Sequence, residues 1–102
     1  MTIPPPIPTA TINFDYAGSR PLIDYNITLS INGNDALFFN NRYPISHCFV
    51  LPVGRIEIKA RINALSSLGD TRLYLDLMPG CIYNIYLAYN NVVGTLSLHQ
   101  RY

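Results

Sequence analysis

The side chains that could do chemistry in this chain are few, and their spacing matches no familiar catalytic or metal-binding pattern. The two histidines, His47 and His99, stand far apart in the sequence, with neither a His-x-x-x-His spacing nor a carboxylate at ligand spacing. A metal site needs three or four convergent ligands, so we expect no metal. The acids fall mostly at positions predicted to be turns or solvent-facing strand positions: Asp15, Asp24, Asp35, Glu57, Asp70 and Asp76.

Motifs of nucleophilic and nucleotide chemistry are also missing from the sequence. It contains no Gly-x-Ser-x-Gly nucleophile motif, no Walker loop and no dinucleotide-binding glycine motif. We therefore expect a protein that is not an enzyme and that uses no cofactor.

Cys48 and Cys81 are the only cysteines, and they have two interpretations. In an oxidising compartment they would form one disulfide, closing a loop of about 34 residues and stabilising the fold by roughly 3 kcal/mol. The alternative is a pair of small buried thiols. Both interpretations stay open at this point.

Tyrosines offer a binding chemistry in place of catalysis. Tyr83, Tyr86 and Tyr89 follow one another in a predicted strand, and Tyr74 lies on the strand before it. An aromatic ladder of these four rings on an exposed sheet face would stack on sugars or anchor a protein interface. The alternative is that they are partly buried residues at the core and rim of a central strand.

The elements that must position these side chains have the two-residue period of β-strands. Residues 55–63 alternate most cleanly, with Ile56, Ile58, Ala60 and Ile62 on one face and polar residues on the other. Such alternation predicts a strand with one face on the core and one in water. Further strands are predicted over residues 11–16, 24–31, 36–39, 45–51, 71–77, 82–89 and 92–98.

Turn signals separate these runs. Asn32-Gly33 supplies the positive φ angles of a type I′ hairpin turn. A Pro/Gly turn also precedes a strand twice, at residues 52–54 and 79–80. Seven or eight short strands, with no amphipathic helix, predict an all-β antiparallel sandwich of the immunoglobulin-like or transthyretin-like type. A small closed barrel is the alternative.

The chain divides into a proline-rich leader, residues 1–9, and one sandwich domain, residues 10–102. Prolines at positions 4, 5, 6 and 8 favour extended polyproline II structure. The segment lacks the basic start and the long apolar stretch of a signal peptide.

Composition limits the class of partner. The net charge is +1 with no block of like charge, so we expect no nucleic-acid binding. No apolar run approaches the roughly 18 residues of a membrane-spanning helix. Only 13% of residues are charged, which leaves a surface of Asn, Thr, Ser and Tyr. Such surfaces are typical of extracytoplasmic proteins, in the periplasm or cell envelope, and favour self-association.

The order of turns and strands resembles that of small bacterial envelope domains of the PEGA type and related lipoprotein β-sandwiches. The segments that resemble them are "LSINGNDALFFNN", "FVLPVGRIEIKAR" and "LYLDLMPGCIYNIYLAY", within residues 27–89. Asn32 stands where those domains usually have Asp, and Arg55-Ile56 where a Gly-x-His arrangement is common. No lipobox cysteine precedes the proline segment. The resemblance implies a non-catalytic, extracytoplasmic accessory or binding domain.

We therefore expect an accessory or assembly domain that acts through protein–protein contacts or self-association, at the tyrosine-bearing face or at an edge strand. Two alternatives remain: a carbohydrate-binding module that uses the same tyrosines, and a small free-standing inhibitor or immunity-type protein.

Overall fold

The computed structural model describes residues 7–20, 24–63, 70–90 and 95–101, and its regular structure in these ranges consists of eight strands. They are β1 (Thr9–Tyr16), β2 (Asn26–Ile31), β3 (Asn34–Asn40), β4 (Ile45–Pro52), β5 (Gly54–Asn63), β6 (Asp70–Leu77), β7 (Ile82–Asn90) and β8 (Thr95–Arg101). The prediction of an all-β fold is confirmed.

The strands form two four-stranded sheets packed in a sandwich-like arrangement. The first sheet has the order β4-β1-β7-β8 and the second has the order β3-β2-β5-β6. Neighbouring strands are antiparallel except β1 and β7, which are parallel. The predicted antiparallel pattern is therefore wrong for this one pair. Strands as distant in sequence as β1 and β7 need no hairpin between them, and a long connection permits parallel pairing.

The core lies between the two sheets and is built from the apolar face of each strand. Ile56, Ile58, Ala60 and Ile62 of β5 are all buried, which confirms the alternation read from the sequence. The first sheet contributes mainly the inward residues of β1, among them Phe14, whose ring lies 5.9 Å from that of Phe39 in the second sheet. The sheets are thus joined by aliphatic and aromatic packing.

β2 departs from the simple alternating pattern. Ile27, Leu29 and Ile31 face the core as predicted, but Thr28 and Ser30 on the opposite face are buried too. The reason is that β2 is a central strand, flanked in register by longer side chains of β3 and β5. Both hydroxyls are hydrogen-bonded, since the Asn63 amide donates to Thr28 Oγ1 at 2.7 Å and Ser30 donates to an Asp35 carboxylate oxygen at 3.0 Å.

The predicted Asn32-Gly33 turn is confirmed, with φ angles of 51° and 79°. Its asparagine also anchors the hairpin to β5. The backbone amide of Glu57 donates to Asn32 Oδ1, and the amide of Asn32 donates to the Glu57 carbonyl, both at 2.9 Å. Asn32 thus has two roles: it adopts the positive φ that the turn needs, and it holds the hairpin against β5.

A buried clasp at Asn41 joins the β1–β2 connection to the β3–β4 turn. The Asn41 side-chain Oδ1 accepts a hydrogen bond from the backbone amide of Tyr25 at 3.0 Å, and the Asn41 backbone carbonyl accepts from the hydroxyls of Tyr16 and Ser19. Burial raises the pKa of the Tyr16 hydroxyl, an effect that the Ser19 hydrogen bond partly opposes. Gly18, at a φ of 82°, lies so close to the turn that a Cβ atom would stand 3.0 Å from the carbonyl oxygen of Arg42.

Several strands begin or end at other residues than the sequence predicts. β1 begins at Thr9, and the Pro8 carbonyl accepts a hydrogen bond from the Val53 amide at 3.2 Å, so the sheet extends into the predicted leader. Residues 1–6 of that leader lie outside the described residues, as do residues 92–94 of the last predicted strand. The described part of that strand is Thr95–Arg101.

Candidate interaction surface

The sandwich presents two outer faces whose side chains can be assigned from the strand register. Residues directly opposite each other on neighbouring strands share a face, and the buried residues of each strand identify the inner one. We call the outer face of the first sheet the Tyr86 face and the outer face of the second sheet the charged face. Their chemical characters differ sharply.

The charged face carries eight ionisable side chains, four basic and four acidic. They are Arg55, Lys59, Arg61 and Arg72 with Asp35, Glu57, Asp70 and Asp76. Ion pairs cross the strands, for example Lys59 with Asp70 at 3.1 Å and Arg61 with Asp35 at 3.6 Å. The hydrogen bond from Lys59 is the main reason that the pKa of the Asp70 carboxyl lies below its ordinary value. Exposed Phe38 and Tyr74 also lie on this face. Burying them against a partner would require stripping water from the many charges around them, which makes the charged face the poorer docking surface.

Among its described residues, the Tyr86 face has one Asp and one Arg, Asp15 and Arg101, and no Glu or Lys. The remaining positions are small, polar or apolar: Thr9, Thr11, Asn13, Ser46, Cys48, Val50, Pro52, Ile82, Asn84, Tyr86, Ala88, Asn90, Thr95, Ser97 and His99. Asn13 donates from Nδ2 to Asn84 Oδ1 at 3.2 Å, and Ser46 donates to an Asp15 carboxylate oxygen at 2.5 Å. This composition suits a surface that is buried against another molecule.

Tyr86 lies near the middle of this face and is held by two residues of β8. Its ring stacks on the imidazole of His99, with centroids 5.0 Å apart and planes at 24°. The guanidinium carbon of Arg101 lies 4.6 Å from the ring centroid, a cation–π distance. Asp15, Tyr86 and Arg101 line one open depression. Tyr86 is therefore a pre-positioned, half-buried aromatic side chain beside a cation and an anion.

The predicted ladder of four tyrosines is not formed. Tyr83 and Tyr89 point inward and pack against the core. Tyr74 lies on β6 in the other sheet, where it is 50% exposed on the charged face and donates to Glu57 at 3.1 Å. Only Tyr86 lies on the face that bears its name. The three-residue spacing of the β7 tyrosines contained this information, since an odd spacing in a strand reverses the face.

Two exposed aliphatic residues on the Tyr86 face were not singled out from the sequence. Val50 and Ile82 are each 64% exposed and lie on either side of Thr11 in adjacent strands. Val50 falls within the apolar run 48–51, which concealed its outward position. Together they extend the Tyr86 face with an apolar patch toward the Pro/Gly turns.

Both interpretations of the cysteines need correction. Cys48 and Cys81 are exposed free thiols, and not buried ones. Cys48 is in β4 and Cys81 directly precedes β7, with β1 between these strands. Two strand spacings amount to roughly 9.5 Å, whereas a disulfide needs Cα atoms within about 7 Å. An intrachain disulfide is therefore incompatible with this sheet.

The remaining chemistry of the site is limited in the part of the chain that the structure describes. No group of three or more His, Cys, Asp or Glu side chains converges there as a metal site would require. Nor does that part contain a helix long and apolar enough to cross a membrane.

Comparison of the chain with protein-family models, with curated proteins and with solved structures gives no match in any of the three. The resemblance to PEGA-type envelope domains therefore stays a prediction.

Proposed function

We propose that this chain is a non-enzymatic accessory or assembly domain that works through protein–protein contacts on the Tyr86 face. The observation that supports the proposal is the contrast between the two outer faces. One has eight charged side chains in cross-strand pairs, and the other has two, beside a fixed aromatic ring and exposed Val50 and Ile82. Depletion of charge around an aromatic centre is typical of protein interfaces.

We further propose that the sandwich is of the transthyretin-like type. In the immunoglobulin arrangement the first strand pairs with the second, in sheets of the order A-B-E-D and C-F-G. Here the first strand lies between the fourth and the seventh. The strand order therefore favours the other of the two expected types.

Two matched tyrosine variants test the proposed function. Tyr86→Ala and Tyr74→Ala each remove one partly exposed ring that contacts an arginine, Arg101 at 4.6 Å and Arg55 at 5.4 Å. Each should lower the free energy of unfolding by about 1–2 kcal/mol, from the lost cation–π contact and ring packing. The two variants should therefore be similar in stability and differ in the face that each one alters.

The assay is capture of binding proteins from the native host by immobilised wild type and both variants, followed by reconstitution of the complex from purified components. We expect Tyr86→Ala to lose the complex and Tyr74→Ala to retain it. Equal binding by all three proteins, or equal loss in both variants, would refute the assignment of the face. A glycan array tests the carbohydrate alternative: sugar binding that is lost on Tyr86→Ala would replace the protein partner with a glycan.

A further inference from the structure

The four edge strands of the sandwich differ in how well they are protected against pairing with another strand. β6 carries Asp70, Arg72 and Asp76, and charged residues on an edge oppose strand addition. β8 carries Arg101, and its Leu98 amide donates to Thr71 Oγ1 of β6 at 3.2 Å. These two edges lie beside each other and are partly covered.

β3 is protected in another way. Its register with β2 is interrupted between Leu29 and Ser30, and it carries Asp35. An irregularity of this kind twists an edge away from a regular partner. β4 has none of these devices. Its eight residues, Ile45–Pro52, include no charged side chain and pair with β1 without interruption.

The direction of the hydrogen bonds shows which backbone groups of β4 are available. The Thr11 amide donates to the Cys81 carbonyl at 3.0 Å, so odd-numbered residues of β1 face β7 and even-numbered ones face β4. The even-numbered residues pair with Ile45, His47, Phe49 and Leu51. Ser46, Cys48 and Val50 therefore direct their backbone amides and carbonyls outward, away from the sheet.

These outward groups are symmetric about Cys48. If a second copy of the chain pairs antiparallel with β4 about a twofold axis at Cys48, Cys48 faces its own counterpart and Ser46 faces Val50 of the second copy. Every outward amide of the three residues then meets an outward carbonyl. Pro52, which has no amide, lies beyond this pairing.

We propose that the chain forms a homodimer by pairing β4 with β4 of a second copy, which joins two four-stranded sheets into one of eight strands. The inference goes beyond the proposed function, because it uses the unpaired edge of β4 and not the Tyr86 face. No like charges oppose each other in this register, because β4 has none. On the inner side His47 meets Phe49 of the second copy, and these two side chains already contact each other within one chain at 4.5 Å.

Two substitutions at Val50, one that removes the backbone amide and one that shortens the side chain, distinguish a loss of strand pairing from a loss of folding. Val50→Pro removes an outward amide and leaves the bonds to β1 in place, a position where an edge strand tolerates proline. Val50→Ala keeps the amide. In size-exclusion chromatography with light scattering over a concentration series, we expect wild type and Val50→Ala to dimerise and Val50→Pro to remain monomeric. Far-UV circular dichroism verifies that each variant is folded.

Cysteine cross-linking tests the register without altering the β4 backbone. Opposed residues in a hydrogen-bonded antiparallel pair have Cα atoms about 5.5 Å apart, within disulfide range. Treatment with diamide, a diazene oxidant, should remove one hydrogen from each of two Cys48 thiols and form an intermolecular disulfide, with the diazene reduced to a hydrazine. Cys81→Ser should still cross-link, whereas Cys48→Ser should not, because Cys81 lies beside β7, two strands away from β4 and the dimer axis.

A monomer at every concentration would overturn the inference, as would a dimer that cross-links through Cys81 or survives Val50→Pro in folded form. If Val50→Pro does not fold, the cross-linking pattern alone decides. A monomer that binds a different protein through Tyr86 would overturn the homodimer and leave the proposed function standing. A Cys48-linked dimer, together with no effect of Tyr86→Ala on any complex, would support the homodimer and refute the proposed function.

Discussion

The clasp at Asn41 gives the sharpest test of what holds the fold together at the end of the sandwich where β1, β2 and β3 meet. The side chain is fully buried, at 0% exposure, and its Oδ1 accepts the Tyr25 amide at 3.0 Å. Asn41→Ala leaves that amide without its acceptor. A buried donor that loses its partner costs about 1–3 kcal/mol, and because Tyr25 is only half-buried its amide should fall in the lower half of that range, at about 1–2 kcal/mol.

The lost packing adds to this cost. Removing a buried carboxamide leaves a small cavity, for which about 1 kcal/mol is appropriate, so the total is roughly 2–3 kcal/mol. A domain of this size loses about 4 °C in Tm per kcal/mol, which predicts a Tm lower by roughly 10 °C. Urea unfolding followed by circular dichroism gives the free energy directly, and an unchanged m-value would show that the unfolded state is the same.

Asn40→Ala is the matched control. The Asn40 side-chain carboxamide accepts a hydrogen bond from the Arg42 amide at 2.9 Å and donates one to Asn26 at 3.4 Å, and both bonds are exposed to solvent. Exposed bonds of this kind contribute little, so we expect a loss of about 1 kcal/mol or less. If Asn41→Ala and Asn40→Ala lowered the unfolding free energy equally, the argument that the buried clasp stabilises the turn would be refuted.

Two further predictions concern charge and thiols. The pKa of Asp70 is lowered in the folded state, so its stabilising effect is present above its ordinary pKa of 3.8 and is lost as the pH falls through the folded value. The stability gap between wild type and Asp70→Asn, measured by urea unfolding, should therefore persist from neutral pH down to the ordinary pKa of 3.8 and shrink as the pH falls further. A gap that stays constant at more acid pH would contradict the pairing with Lys59. Cys48 and Cys81 should both react with maleimide in the folded, reduced protein, and oxidation in dilute solution should leave no intrachain disulfide by intact mass.

The sequence was sufficient for features decided within one strand or one turn. The alternation of Ile56, Ile58 and Ile62 shows which side of β5 must leave water, and Asn32-Gly33 can adopt positive φ at low cost. These features depend on neighbours along the chain, so they can be derived without knowing the sheet order.

Features that depend on which strands meet could not be derived in this way. A two-residue period separates inside from outside but does not say to which sheet a strand belongs, so Tyr74 and Tyr86 were assigned to one face although they lie on opposite ones. The burial of Thr28 could not be predicted for the same reason, because it depends on the strands that flank β2. The inward position of Tyr83 is different, because its odd spacing from Tyr86 was visible in the sequence.

The parallel pairing of β1 with β7 also has a consequence for biosynthesis. The second sheet uses strands within residues 26–77. In the first sheet, β4 can pair with β1 as soon as residue 52 has left the ribosome, but the other edge of β1 pairs only with residues 82–87, which follow later. Until β7 leaves the ribosome, the backbone groups of Thr11, Asn13 and Asp15 form an open template in the nascent chain. Contacts this distant in sequence slow folding and prolong that exposure. Of the eight described strands β1 is synthesised first, yet it is among the last to have both of its edges paired. The interval before β7 leaves the ribosome is when neighbouring nascent chains are most able to pair wrongly.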